Sequence, residues 1–285
     1  MIERARTANR AGFASLSIGD HHNMGVPYAQ NTPMLGRLLA EWPDRPAGCL
    51  FLVPLWHPVL MAEHIGTLAA IHQTELGFSG QGDPTRPTPF IVQTGIGYGQ
   101  AQFRAMGADH STRGRVLEAT IEAVKAMLAG ETVDDERLDL VGGRVGLLPD
   151  EPVEWWIGGG VDVAIERAAR MGDAWYAGPG AGPDELAGQI DTYRSAGGER
   201  VIVRKDALVL ADGDEARRRA TEMVEAGYRG MGLDVLVVGD ADDAATQLAP
   251  YAEVGVDEIV VRCMSVPQDL AIETLSLLGP LDGQV

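Results

Sequence analysis

Seven apolar runs, each followed by a segment of helical period, constrain the fold of this chain more than any other feature. Residues 15–20 (SLSIGD) precede NTPMLGRLLAEW, 48–54 (GCLFLVP) precede HPVLMAEHIGTLAAIH, and 89–95 (PFIVQTG) precede STRGRVLEATIEAVKAMLAG. Residues 153–159 (VEWWIGG) lead into VDVAIERAARMG, 173–178 (DAWYAG) into PDELAGQIDTYRSAG, 200–210 (RVIVRKDALVL) into DEARRRATEMVEAG, and 257–263 (DEIVVRC) into DLAIETLSLLG. The runs are rich in Val, Ile and Leu and mostly do not alternate with polar residues, which is the mark of parallel strands covered on both faces. The following segments space apolar residues by three or four, as in Ile121, Val124 and Leu128. Repeated β/α units of this kind form a doubly wound sheet or a TIM barrel.

The chain opens inside what reads as a first helix, IERARTANRAGF, so a closed eight-strand barrel needs one more strand, before Met1 or from another segment. The first suspect for that slot is the Gly- and Pro-rich stretch 74–89. A second irregular stretch, 131–152, is acidic and then suggests a hairpin around Gly142–Gly143. Neither is long enough for a separate domain, so residues 1–285 are expected to form one.

Composition narrows the partners. With a formal charge of −18 over 285 residues, the chain repels nucleic acid and anionic membranes. Cys49 and Cys263 both lie in apolar runs and read as buried thiols, neither a disulfide nor a metal site. The opening, MIERARTANRAGF, is charged and unlike a secretory leader. The longest apolar run, CLFLVPLWHPVLMA, is interrupted by Pro54, His57 and Pro58 and is too short to span a bilayer. A cytoplasmic location is expected.

Four stretches carry candidate chemistry. At 19–25, GDHHNMG puts Asp20, His21 and His22 just beyond a strand's carboxyl end, the face on which barrel enzymes work. An imidazole there can move a proton near neutral pH. Adjacent residues of an extended chain point to opposite sides, so the two rings are poorly disposed to chelate one ion, and no metal is expected. GIGYG (95–99) follows a strand but lacks the sixth-position glycine of a dinucleotide fingerprint. It is either backbone that lets a flat ligand approach or a tight strand-to-helix turn. GGG (158–160) opens a helix, as an anion site or as a flexible turn. Arg115 reads as part of a solvated helix face, whereas Arg113 starts a helix, where a cation is unfavourable unless it meets an anion.

Together these pieces resemble the luciferase-like flavin-dependent oxidoreductases, a family that includes bacterial luciferase, alkane and alkanesulfonate monooxygenases and F420-dependent reductases. The likeness runs through AGFASLSIGDHH, LVPLWHPVLMAEHIGTLAAI, GIGYGQAQFRAMGADHSTRGRVLEATIEAVKAMLAGE, VEWWIGGGVDVAIERAARMGDAWYAG and GVDEIVVRC. It implies a TIM (β/α)8-type barrel, with the usual first strand missing from the chain, holding FMN or F420 at the strands' carboxyl ends. By that resemblance His21 stands at the family's catalytic or substrate-facing histidine, with Asp20 and His22 beside it. Cys49–Leu50 matches a position where many members have a non-proline cis peptide behind the ring. Thr94, Gly95, Ile96, Gly97 and Tyr98 would line the ring system. Gly158, Gly159, Gly160 and Val161, with Arg113, would hold the phosphate. The chain departs from the family pattern at Gly99, where many members have arginine, and in the insertion at 74–89.

The implied function is an FMN-dependent monooxygenase or oxidoreductase acting on a small molecule. A separate reductase would supply reduced flavin, since the chain shows no nicotinamide fingerprint, and a homodimer is implied. One alternative is an F420-dependent reductase or dehydrogenase, favoured by the Asp20–His21 pair. The other is a non-catalytic or degenerate flavin-binding barrel.

Overall fold

The computed structural model describes residues 1–72, 88–150 and 153–281. They fall into two compact units, residues 16–156 and residues 1–15 together with those from 157 onward. Helix α1 (Ile2–Arg10) belongs to the latter.

In residues 16–156 the order is β1 (Leu16–Ile18), α2 (Asn31–Leu38), β2 (Ala47–Leu52), α3 (Pro58–His72), β3 (Phe90–Gly95), α4 (Gln100–Ala105) and α5 (Arg113–Leu128). A hairpin follows, β4 (Val133–Asp135) and β5 (Leu140–Gly143), and then β6 (Glu154–Gly158), which crosses the division between the units. β1 runs parallel to β2, with Ile18 opposite Cys49, and β2 runs parallel to β3, with Cys49 opposite Val92 and Leu50 opposite Gln93. Nearly every residue of β2 and β3 is buried, which explains why their sequences do not alternate. Met61 and Ile65 of α3 and Leu117, Ile121 and Val124 of α5 are fully buried in the packing of these helices. The last residue of α3, His72, is also buried; its ring meets Phe90 edge-on at 6.5 Å. Burial draws its imidazole down to about 4, against a smaller opposing effect of a hydrogen bond with the Arg45 backbone.

The other unit continues with α6 (Asp162–Met171), β7 (Ala174–Ala177), α7 (Pro183–Ser195), β8 (Arg200–Val209), α8 (Gly213–Glu225), β9 (Val237–Gly239), α9 (Ala241–Glu253), β10 (Glu258–Cys263) and α10 (Gln268–Leu278), and α1 packs against α10. β8 is its longest strand. It pairs in parallel with β7 through residues 200–203, with β10 through 202–207 and with β9 through 207–209. Side chains alternate across it as a strand requires. Leu208 and Leu210 pack with Tyr228, Val238 and Met264, while Ala207 and Val209 pack with Ala244, Leu248 and Leu278. Lys205 shares the second face. Its ammonium donates to the Ala181 carbonyl at 2.6 Å and the Pro179 carbonyl at 3.2 Å, and lies 4.4 Å from the centre of the Tyr251 ring on α9. Burial pulls this amine down to about 8, against the opposing pull of Asp206, Asp234 and Glu185.

All seven expected strands are present. An eighth, β9, comes from residues the sequence pattern leaves unassigned; 74–89, the expected source, lies almost wholly outside the described residues. The hairpin at 131–152 exists, but Gly142–Gly143 sits inside its second strand, and the turn is at residues 136–139, with Asp139 in the left-handed region. Cys49 is buried; Cys263 is only half-buried, because β10 leaves all six of its residues partly accessible. Both are free thiols.

Candidate functional site

The loop leaving β1 is held by the carboxylate of Asp20. Oδ2 accepts the Leu52 backbone N–H at 2.8 Å and the Trp56 indole N–H at 2.7 Å, tying the end of β1 to the end of β2. Oδ1 lies 3.3 Å from His22 Nε2. The side chain of Asp20 is completely buried and that of His22 nearly so. The His22 ring meets Trp56 edge-on at 5.6 Å, and Trp56 in turn meets Phe51 at 5.1 Å and His64 at 5.5 Å. Asp20 is therefore engaged in positioning, with His22 as its partner.

His21 takes a different partner. Its Nδ1 lies 2.5 Å from Nε2 of Gln102 on α4, and the same Gln102 nitrogen donates to the His22 carbonyl at 2.9 Å. That second bond fixes the amide nitrogen as a donor, so Nδ1 of His21 acts as the acceptor and the neutral ring carries its proton on Nε2. Tyr28 meets the His21 ring edge-on at 6.0 Å and donates from its hydroxyl to the Gly19 carbonyl at 2.9 Å. The two imidazoles thus face different partners, Gln102 for His21 and Asp20 for His22.

The Cys49–Leu50 peptide is trans, against the cis bond that the resemblance implies there. Both residues sit in regular parallel register with β3, which an extended trans backbone satisfies. The Cys49 thiol is pushed well up, first by burial and then by the Asp20 charge. The Leu50 carbonyl accepts from the fully buried Asn31 side chain at 2.7 Å.

Thr94 is buried, its hydroxyl donating to the Trp156 carbonyl at 3.4 Å, and Gly95 ends β3. The chain then turns through Ile96 and Gly97 to Tyr98, which is 82% exposed. Gly97 has φ +70, and a Cβ there would stand 2.9 Å from the Phe103 ring, so the turn requires glycine. Arg113 begins α5. It donates from Nη1 to the His110 carbonyl at 2.8 Å and lies 3.1 Å from that residue's Nδ1, while its Nε is buried with no hydrogen-bond partner.

Gly158 to Val161 belong to the other compact unit and lead from β6 into α6. The Gly159 carbonyl accepts from the Trp175 indole at 2.7 Å, and Gly160 carbonyl from Gln189 at 3.2 Å. A Cβ on Gly159 would collide with Ala164, so α6 can start this close only after glycine. Val161 is the N-cap and no side chain caps the helix, so its first N–H groups are open to an anion, although Asp162 adds a negative charge to that turn.

Trp56, Gln102 and Asn31 complete this geometry and are absent from the residues picked out by motif. Among the described residues no group of His, Cys, Asp and Glu could hold a metal ion, and no helix is long and apolar enough to cross a membrane.

Comparison with known proteins gives the context. The chain is 30% identical over 208 residues to uncharacterized proteins of Mycobacterium tuberculosis and Mycobacterium bovis, covering 65% of this chain and 67% of theirs. An F420-dependent secondary alcohol dehydrogenase, solved with an F420–acetone adduct, superposes with a TM-score of 0.75 at 16% identity, over 98% of this chain and 92% of that one. The coenzyme F420-dependent tetrahydromethanopterin reductase of Methanopyrus kandleri gives 0.73 at 15%, over 98% and 92%. A monooxygenase from Streptomyces bottropensis gives 0.71 at 17%, over 99% and 94%. These likenesses show an α/β fold of the TIM (β/α)8 type. The family profile described as luciferase-like monooxygenase matches residues 90–258, and this chain therefore belongs to that family.

Proposed function

We propose that this chain is a flavin-dependent oxidoreductase: a monooxygenase that uses FMN, reduced by a separate reductase, to oxidise a small molecule. In this proposal the chain works as a single barrel domain and a homodimer in the cytoplasm. The observation that carries the reading is the His21–Gln102 pair just beyond the carboxyl end of β1, which gives an imidazole of set tautomer on the face where such barrels work.

The residues fit a flavin-type cofactor. Within residues 16–156, the buried, unpartnered Nε of Arg113 suits a phosphate oxygen. Tyr98 offers an exposed aromatic face beside the Gly97 turn. When bound, such a cofactor would supply the electron transfer. His21 holds and moves a proton at Nε2, and Gln102 keeps that proton on the correct nitrogen. Asp20 and His22 fix the loop that carries His21, through Leu52 and Trp56.

F420 is the second reading, supported by the two F420-dependent enzymes that share the fold. Titrating the purified protein with FMN and with F420, following absorbance and fluorescence, separates the two, and mass spectrometry identifies any co-purified cofactor. Saturable binding of FMN supports the first reading, and binding of F420 alone supports the second. Binding of neither refutes both.

A further inference from the structure

The carboxyl half of β8 bears charges that proton handling does not use. Asp206 is fully buried there, and three guanidinium groups converge on its carboxylate. Arg204 Nε lies 3.3 Å away, Arg262 Nη1 3.6 Å and Arg229 Nε 3.7 Å. Arg204 and Asp206 share the face of β8 that carries Leu208, and parallel register sets Arg262 of β10 directly opposite Asp206. Arg229 reaches in from the turn after α8. The Tyr228 hydroxyl donates to Asp206 Oδ2 at 2.9 Å. The other acid of this region, Glu258, is taken by Arg200 at 2.6 Å and Ser15 at 2.7 Å. Three positive charges thus face one negative charge, an excess of two.

A carboxylate that needed only neutralising would take one arginine, in a bidentate pair. Here none of the three arginines donates a hydrogen bond of normal geometry to any described residue. Arg204 Nε and Asp206 Oδ1 are both buried and without such a bond. Arg229 also holds a left-handed backbone, φ +51, which a bulky residue adopts at a cost. Burial, and after it the like charges of Arg262 and Arg204, hold its guanidinium below the usual arginine value. Yet the side chains are 21%, 35% and 36% exposed for Arg204, Arg229 and Arg262, so a small molecule can reach them. Crowded cations with unused donors, strained backbone and open access together describe an anion site with donors to spare.

We propose that Arg204, Arg229 and Arg262 form a binding site for a small organic oxyanion, one bearing a carboxylate, sulfonate or phosphate group. The guanidinium fork matches such groups, and Asp206 holds the three forks together until the ligand arrives.

The test is calorimetric titration of the full-length protein with acetate, methanesulfonate and inorganic phosphate, at constant ionic strength set with chloride. Saturable binding of at least one probe is expected. Arg204→Gln and Arg262→Gln should each weaken it about tenfold, the loss of one charge-assisted hydrogen bond. Arg229→Gln, on a surface turn, should do the same and keeps the test open if a strand variant fails to fold. Arg217→Gln, at an exposed ion pair with Asp214 and Asp243, should change nothing. Asp206→Asn should tighten anion binding, because it removes the internal competitor; a purely structural ion-pair network predicts no gain. Absence of saturable binding in both wild type and Asp206→Asn overturns the proposal. FMN and F420 titrations of the same variants separate the two readings. If cofactor affinity falls in step with anion affinity, the cluster holds cofactor phosphate and a separate site for a small organic oxyanion is refuted. If neither cofactor binds wild type while the anion pattern holds, the flavin reading falls and the anion site stands.

Discussion

Replacing Asp20 tests whether this carboxylate positions the His21 loop. In Asp20→Ala, the Leu52 N–H and the Trp56 indole N–H lose their acceptor; the Asp20 side chain is fully buried and Leu52 is buried, while Trp56 is partly exposed. Each buried donor left unsatisfied costs about 1–3 kcal/mol, so the pair costs roughly 2–6 kcal/mol. Asp20→Asn keeps an oxygen for both donors and loses only the charge assistance, a cost of about 1–2 kcal/mol. Its amide NH2 then faces His22 Nε2 at the position of Oδ1, which a neutral imidazole can accept. Urea unfolding of the three proteins reads these differences as shifts in midpoint at constant slope. Alanine should fall well below asparagine, and asparagine only modestly below wild type. If the two variants are equally stable, the two hydrogen bonds do not carry the loop and the reasoning fails.

His21→Ala should lower turnover by roughly 10²–10⁴-fold, the usual range for losing a general acid or base, with cofactor affinity little changed and a smaller kinetic effect from His22→Ala; equal small losses in both variants would return the pair to a structural role. Arg113→Ala should weaken FMN binding by about 1–3 kcal/mol in a fluorescence titration, and an unchanged affinity removes Arg113 from the site. His72 should give the protein an acid limb. Its folded value is drawn down to about 4 from 6.5, so between those pH values the unfolded chain takes a proton that the native state refuses. Stability is lost as pH falls through that window, by about 3 kcal/mol, and His72→Gln should flatten this part of a denaturation series run from pH 7 to pH 4.

The strands buried on both faces were legible because Val, Ile and Leu run through them unbroken. β9 was not, because Val237–Gly239 is three residues long and pairs only with the last three residues of β8, too little for a period to show. At the site, the GDHH stretch announced itself by its chemistry, but the division of labour within it did not. It depends on Gln102 and Trp56, 81 and 36 residues away from the groups they bond, and although both lie in stretches that carry the family likeness, nothing in those stretches marks them as partners of the GDHH loop. The arginine cluster did leave one signal, the three charges RKD in the middle of an otherwise apolar run. The alternation of a strand explains it: Arg204 and Asp206 point one way and Lys205 the other, so the three charges serve two different environments.

Lys205 gives that second environment a chemical character of its own. An amine drawn down to about 8 is unprotonated in roughly a tenth of molecules at neutral pH, far more than an ordinary lysine, and is to that extent a nucleophile. It is also sealed under Tyr251 and held by the carbonyls of Pro179 and Ala181, so no acylating reagent meets it in the closed protein. Its modification therefore proceeds only when this packing opens locally, and the rate counts those openings. Lys125, the other lysine of the chain, is partly exposed and reacts first; Lys205 reacts at the pace of the fold's own breathing.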